Sequence, residues 1–116
     1  MYKLCFFVPK THVEQVKIAL FDKGAGRIGQ YDYCSWQVLG EGQFRPLEGS
    51  VPFLGTHHKI ERVSEYKVEM VCRRSVIADV VKELIKTHPY QEPAYEVYEV
   101  IDTERLIDNS TGSKNS

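Results

Sequence analysis

Four histidines, three cysteines and several clustered glycines and prolines are the residues in this 116-residue chain with chemistry to offer. His57 and His58 are adjacent, and His88 opens the run His88-Pro89-Tyr90-Gln91-Glu92-Pro93-Ala94-Tyr95. Imidazole nitrogen and thiolate sulfur suit a divalent transition metal, so His57, His58, His88 and Cys34 form the candidate metal set. Adjacent side chains in an extended segment point to opposite sides, so the His57-His58 pair cannot chelate one ion by itself. A site needs the loop folded across the last strand to bring in His88, Cys34 or Glu92. The plain alternative is a set of solvated surface histidines.

The His88–Tyr95 run carries two prolines, which fix φ and hold the preceding residues extended. Two readings stand side by side. In one, His88, Tyr90 and Glu92 contact a small ligand in a cleft between subunits. In the other, the run turns the chain from a helix into the last strand, its aromatic rings serving packing.

Gly24-x-Gly26-x-x-Gly29 looks like a phosphate cradle, but it stands between a helix and the strand after it. A dinucleotide fingerprint runs strand, loop, helix. The glycines are therefore read as a helix stop and a tight entry, with Arg27 kept as a candidate anion contact beside exposed backbone N–H groups. No nucleophile elbow, HExxH, P-loop or C-x-x-C occurs, so a self-contained enzyme is not expected. Cys5, Cys34 and Cys72 are odd in number and far apart, which argues against a disulfide framework. All three are read as small apolar side chains inside strands, and Trp36 as a core residue.

Fifteen Lys and Arg against sixteen Asp and Glu leave a net charge of -1, with no summed field for nucleic acid or anionic lipid. No apolar run approaches the roughly 20 residues of a membrane span. No leader pattern opens the chain, so a cytoplasmic location is expected.

These residues must be held by a small frame. Residues 2–9 are rich in aromatic and branched side chains and predict a strand ending at Pro9. Thr11 and Glu14 have capping-box spacing, and Val13, Val16, Ala19 and Leu20 predict a helix stopped by Gly24. A strand is expected over 28–39, a turn at Gly40-Glu41-Gly42, and a short strand over 43–47 that pairs back as a hairpin. Residues 48–60 lack any period and are read as a loop over the surface, the kind of segment that carries function. Residues 61–72 alternate cleanly, with Tyr66, Val68, Met70 and Cys72 on one parity. Ser75 is placed as the cap of a second helix striped by Ile77, Val80, Val81, Leu84 and Ile85. A last strand spans 95–101. One domain over 1–101 and a polar, flexible tail over 102–116 are expected.

The order β-α-β-β-loop-β-α-β predicts an α+β, ferredoxin-like arrangement with two helices on one face of an antiparallel sheet. Leu4, Phe6 and Val8 lie on one parity of the first strand and Cys5 and Phe7 on the other. Apolar residues on both faces predict self-association, as dimer or trimer.

Five segments in order, from Gly24–Tyr31 through Cys34-Ser35-Trp36, Gly40–Pro46 and Pro52–Gly55 to His88–Tyr95, resemble the PII-like or CutA-like domain inserted in bacterial members of the NIF-three-like (NGG-one-interacting factor) family. The similarity covers about residues 2–101. It implies a fold related to trimeric signalling and metal-tolerance proteins. The full-length family resembles a two-metal enzyme, but its metal ligands lie in flanking halves beyond a chain of this length. One departure is His58, where the family tends to carry a second glycine three residues after Gly55. The functional expectation is a homo-oligomeric ligand-sensing or regulatory module. Its alternatives are divalent-metal binding of the CutA type and interaction with a partner protein.

Overall fold

The structure of the protein is a computed structural model that describes residues 1–111. Its elements are β1 (Tyr2–Pro9), α1 (Val13–Asp22), β2 (Trp36–Phe44), β3 (Glu61–Cys72), α2 (Ile77–Thr87), β4 (Tyr95–Glu99) and α3 (Thr103–Thr111). The sheet runs in the order β2-β3-β1-β4, with every neighbouring pair antiparallel.

Strand parity decides what each face does. Leu4, Phe6 and Val8 of β1 stand opposite Met70, Val68 and Tyr66 of β3, and the first two also face Val97 and Tyr95 of β4. Val13, Val16, Leu20 and Phe21 of α1 and Val80 and Leu84 of α2 close over this face, and together they form the buried core. Each fully buried aliphatic or aromatic side chain contributes on the order of 1.5–3 kcal/mol relative to exposure. This is the ferredoxin-like α+β arrangement with two helices on one face.

The opposite face carries Lys3, Cys5 and Phe7, flanked by Lys67 and Glu69 of β3, Glu96 and Tyr98 of β4, and Trp36 and Val38 of β2. Cys5 is buried at 3% exposure although no helix covers it, because a Lys3–Glu69 ion pair (3.4 Å) and other long side chains lie around it. Burial, the largest influence, raises the Cys5 thiol pKa; at Cys72 burial pushes it up to about 11, so both remain thiols at neutral pH.

Several local expectations are corrected. Thr11 does not cap α1: His12 occupies the N-cap with no side-chain cap bond, and the Thr11 hydroxyl instead meets His12 Nδ1 at 2.8 Å. Nor does Ser75 cap α2; Val76 takes that position uncapped, and Val76 and Ile77 both donate to the Arg73 carbonyl at 3.1 Å. The stop of α1 is as read, since Gly24 at φ +101° donates to Phe21 O (2.9 Å) and Ala25 to Leu20 O (3.2 Å), the paired bonds of a Schellman end.

The larger correction concerns residues 28–47. No hairpin turns at Gly40-Glu41-Gly42: those residues continue β2, which pairs along its whole length with β3 from Trp36 opposite Glu69 to Phe44 opposite Glu61. Residues 28–35 are irregular, with Ile28 and Tyr31 exchanging two 2.9 Å backbone bonds. Trp36 is 59% exposed and not a core residue, because β2 is an edge strand and Trp36 faces away from the helices. Cys34 lies in a half-exposed loop position, not in a strand. The last strand stops at Glu99, and residues 103–111 form a helix where the polar composition suggested none. The remainder of the expected tail lies outside the described residues. Among those described, no helix is long and apolar enough to cross a membrane.

Candidate functional site

The loop between β2 and β3, residues 45–60, is held by its own bonds. Ser50 donates to the Leu47 carbonyl through both its amide (3.0 Å) and its hydroxyl (2.7 Å), and His58 N–H donates to the Pro46 carbonyl at 2.6 Å. His57 donates from Nε2 to Ser50 O at 2.9 Å, and His58 Nε2 lies 3.5 Å from the Glu48 carboxylate. His58 has φ +65°, the left-handed conformation that glycine adopts without cost and histidine tolerates moderately.

The loop closes onto the segment after α2. Val51 N–H donates to the Gln91 side-chain carbonyl at 3.0 Å. The Tyr90 ring lies 5.8 Å from Phe44 and 6.2 Å from Phe53, and Phe53 meets His12 edge-on at 5.5 Å. The 48–60 loop and the His88–Tyr95 run therefore come together within one chain.

His88 fixes that second wall. Its ring is buried, and Nε2 donates to Phe7 O (2.7 Å) while Nδ1 accepts from Tyr90 N–H (3.0 Å). Both nitrogens are occupied by backbone, which selects the neutral Nε2–H tautomer. Burial lowers the His88 pKa, the bond to Phe7 opposes that shift, and nearby His12 adds to it.

Between loop and segment lies a cavity of about 630 Å³. Phe44, Pro46, Val51, Phe53, Leu54 and Val63 supply apolar lining, and Gln43, Arg45, Glu65, Tyr90, Gln91 and Glu92 the polar groups. Its size and mixture suit a small-molecule site. The Tyr90 hydroxyl is buried with no hydrogen-bond partner among the described residues. Glu65 reaches over β2, where the missing side chain of Gly42 leaves space for its carboxylate; a Cβ there would push this flexible side chain aside. Burial raises the Glu65 pKa; burial first, then the Glu65 and Glu61 charges, raise that of Tyr90.

Arg27 lies elsewhere. It lines a smaller hollow of about 260 Å³ with Asp22, Lys23, Gly24, Arg73, Ser75 and Val76, at the Cys72 end of β3. The frame there is the 24–34 loop, pinned by Gly26 N–H to Val71 O and Cys34 N–H to Gly26 O, both 2.8 Å. Tyr33 stacks on Phe21 at 4.6 Å and donates to Asp22 at 3.3 Å.

Of the sequence candidates, Tyr90 and Glu92 line this cavity, His88 does not line it but is bonded through both ring nitrogens to backbone, and Arg27 lies at the far end of the sheet. The metal candidates are spread out: His57 and His58 in the loop, His88 engaged by backbone, and Cys34 in the 24–34 loop with its Sγ 3.6 Å from Asp32 O. Among the described residues, no three His, Cys, Asp or Glu side chains are placed to hold an ion. Glu65, Gly42, Phe44 and Phe53 were missed by sequence reasoning. The Gly40-x-Gly42 spacing inside a strand was the available signal, since glycine in a strand marks close approach by another group.

No family model matches the chain. It is 47% identical over 98 residues to a GTP cyclohydrolase 1 type 2 homolog of Halalkalibacterium halodurans, a match that covers 84% of this chain and 26% of the relative. A crystal structure of a Bacillus cereus protein related to NIF3 superposes with a TM-score of 0.74 at 40% identity, covering 87% of this chain and 26% of that one. The CutA periplasmic divalent cation tolerance protein of Archaeoglobus fulgidus superposes at 0.63 with 18% identity, covering 93% of each chain, a likeness of fold alone. The chain thus spans about a quarter of the length of the curated relatives it matches.

Proposed function

Because this chain belongs to the NIF-three-like family as the counterpart of one CutA-like segment of its longer members, we propose that it works as a homo-oligomeric, cytoplasmic ligand-sensing module. The observation that carries this reading is the cavity of about 630 Å³ under the 45–60 loop. A loop tied to the opposite wall by one exposed hydrogen bond, Val51 to Gln91, and by ring contacts is poised to report occupancy. A small ligand filling the cavity replaces those contacts with stronger ones and holds the loop in place. The activity named for the longer relatives belongs to proteins about three times this length and is not assigned to this chain.

Self-association is supported by the uncovered sheet face. Trp36 (59% exposed), Val38 and Tyr98 (51%) lie there beside buried Cys5, and β2 is an unpaired edge. Sedimentation velocity at micromolar concentration tests it. The protein should sediment above its 13.4 kDa monomer mass, and a Trp36→Glu/Val38→Glu variant should shift towards monomer while keeping native circular dichroism. A wild-type monomer contradicts the oligomeric part of the reading.

A further inference from the structure

The same cavity also indicates what kind of molecule it takes, an inference that rests on the sensing role above. Its lining holds one arginine, Arg45, against two glutamates, Glu65 and Glu92. A polyphosphate placed there meets net negative charge and no helix N-terminus. Cations collect instead at the other hollow, where Lys23, Arg27 and Arg73 face only Asp22.

Two polar groups at the cavity wall lack a partner among the described residues. The Tyr90 hydroxyl is buried and unmatched, a state that carries a cost unless something bonds to it. Glu65 is partly withdrawn from water above Gly42 and makes no ion pair among the described residues. A carboxylate in that position favours N–H donors, above all a pair on one planar group, which it can accept with both oxygens. The rings of Phe44, Phe53 and Tyr90 form apolar and aromatic surface that suits a flat partner.

We propose that the cavity binds a planar, neutral or singly cationic nitrogen heterocycle, with its N–H donors on Glu65, a ring or carbonyl acceptor on the Tyr90 hydroxyl, and its faces against Phe44 and Phe53. Gly42 is then a specificity residue, because its missing side chain keeps Glu65 aimed at the donors. Anions of the same shape are rejected by Glu65.

The test is amide-detected NMR titration of the full chain with a matched pair of rings, 2-aminobenzimidazole and 2-naphthoate, with ATP as a third arm. Expected is saturable movement of the Gly42, Val51, Glu65 and Tyr90 amides with 2-aminobenzimidazole only. In Glu65→Gln, which keeps the shape of the side chain, its affinity should fall at least tenfold; in Tyr90→Phe it should fall less. Gly42→Ala, whose Cβ displaces the Glu65 carboxylate, should also weaken binding of 2-aminobenzimidazole; should it disturb folding, the Glu65→Gln comparison alone decides. If 2-naphthoate or ATP moves the cavity amides more strongly, the ligand class is overturned while the sensing role stands. If 2-aminobenzimidazole binds Glu65→Gln as well as the wild type, the Glu65 contact is wrong. If no arm moves any cavity amide, the ligand class and the sensing role fall together. If an extended peptide added afterwards is the sole binder, the cavity is a peptide groove and the proposal is overturned.

Discussion

The two hollows at opposite ends of β3 are built by opposite means. At the Cys72 end, the 24–34 loop is locked to the sheet by backbone bonds, and three cations stand at its surface around about 260 Å³. At the Glu61 end, the 45–60 loop spans about 630 Å³ and reaches its facing wall through a side-chain hydrogen bond and ring contacts. Glu65 and Arg73 are eight residues apart along one chain direction, about 26 Å at strand rise. One end of the domain is thus a fixed frame and the other an adjustable cover. Rigidity follows from backbone pinning, and adaptability from its absence.

Breaking the fixed frame should have the largest effect. A Cβ at Gly26 would stand 2.7 Å from the Cys34 carbonyl oxygen and 2.8 Å from the Phe21 ring, at φ +75°. Gly26→Val combines left-handed strain with a backbone clash, and chemical denaturation should show a loss of more than about 2 kcal/mol. An equivalent change at Gly49, where a Cβ meets nothing within 4 Å, should cost little. Equal losses at both positions would erase the contrast between the two loops.

A smaller effect sharpens the comparison from the adjustable side. Folding lowers the His88 pKa below its ordinary 6.5 through burial. Below that ordinary value the unfolded chain binds the proton more readily than the folded one. Stability is therefore full above about pH 6.5 and falls as pH drops from there through the lower folded value. Protonation also removes the acceptor for Tyr90 N–H, so the wall beneath the 45–60 loop should loosen first. Denaturation midpoints between pH 7 and 5 should decline for the wild type and more gently for His88→Gln. Parallel slopes would show that the acid response does not arise from His88.

Much of this was legible in the sequence where local pattern and tertiary context agree. β1, β3 and α2 follow directly from period-two and period-3.6 spacing, because one face of each is buried against the same core. β2 was legible only in part, as two strands over 28–39 and 43–47, since Gly40 and Gly42 read locally as a turn. Gly42 lies within the strand and leaves space for the Glu65 carboxylate of its neighbour, which only the pairing with β3 reveals. Trp36 misled for a related reason: an aromatic residue suggests burial, but at the sheet edge, facing away from the helices, it remains exposed. The 48–60 loop and the His88–Tyr95 run could be singled out from their glycine, proline and aromatic content, but a cleft between subunits was the expected meeting place, and the two come together within one chain. His88 could be named too, but its role as a backbone-bonded post depends on Phe7, 81 positions away.

The most direct test of the sensing role is hydrogen–deuterium exchange with and without a saturating ligand found by thermal-shift screening. A ligand of the adjustable end should slow exchange in 45–60 and 88–94 and leave 24–34 unchanged. Protection confined to 24–34 and 73–76 would place binding at the cationic hollow and contradict the account.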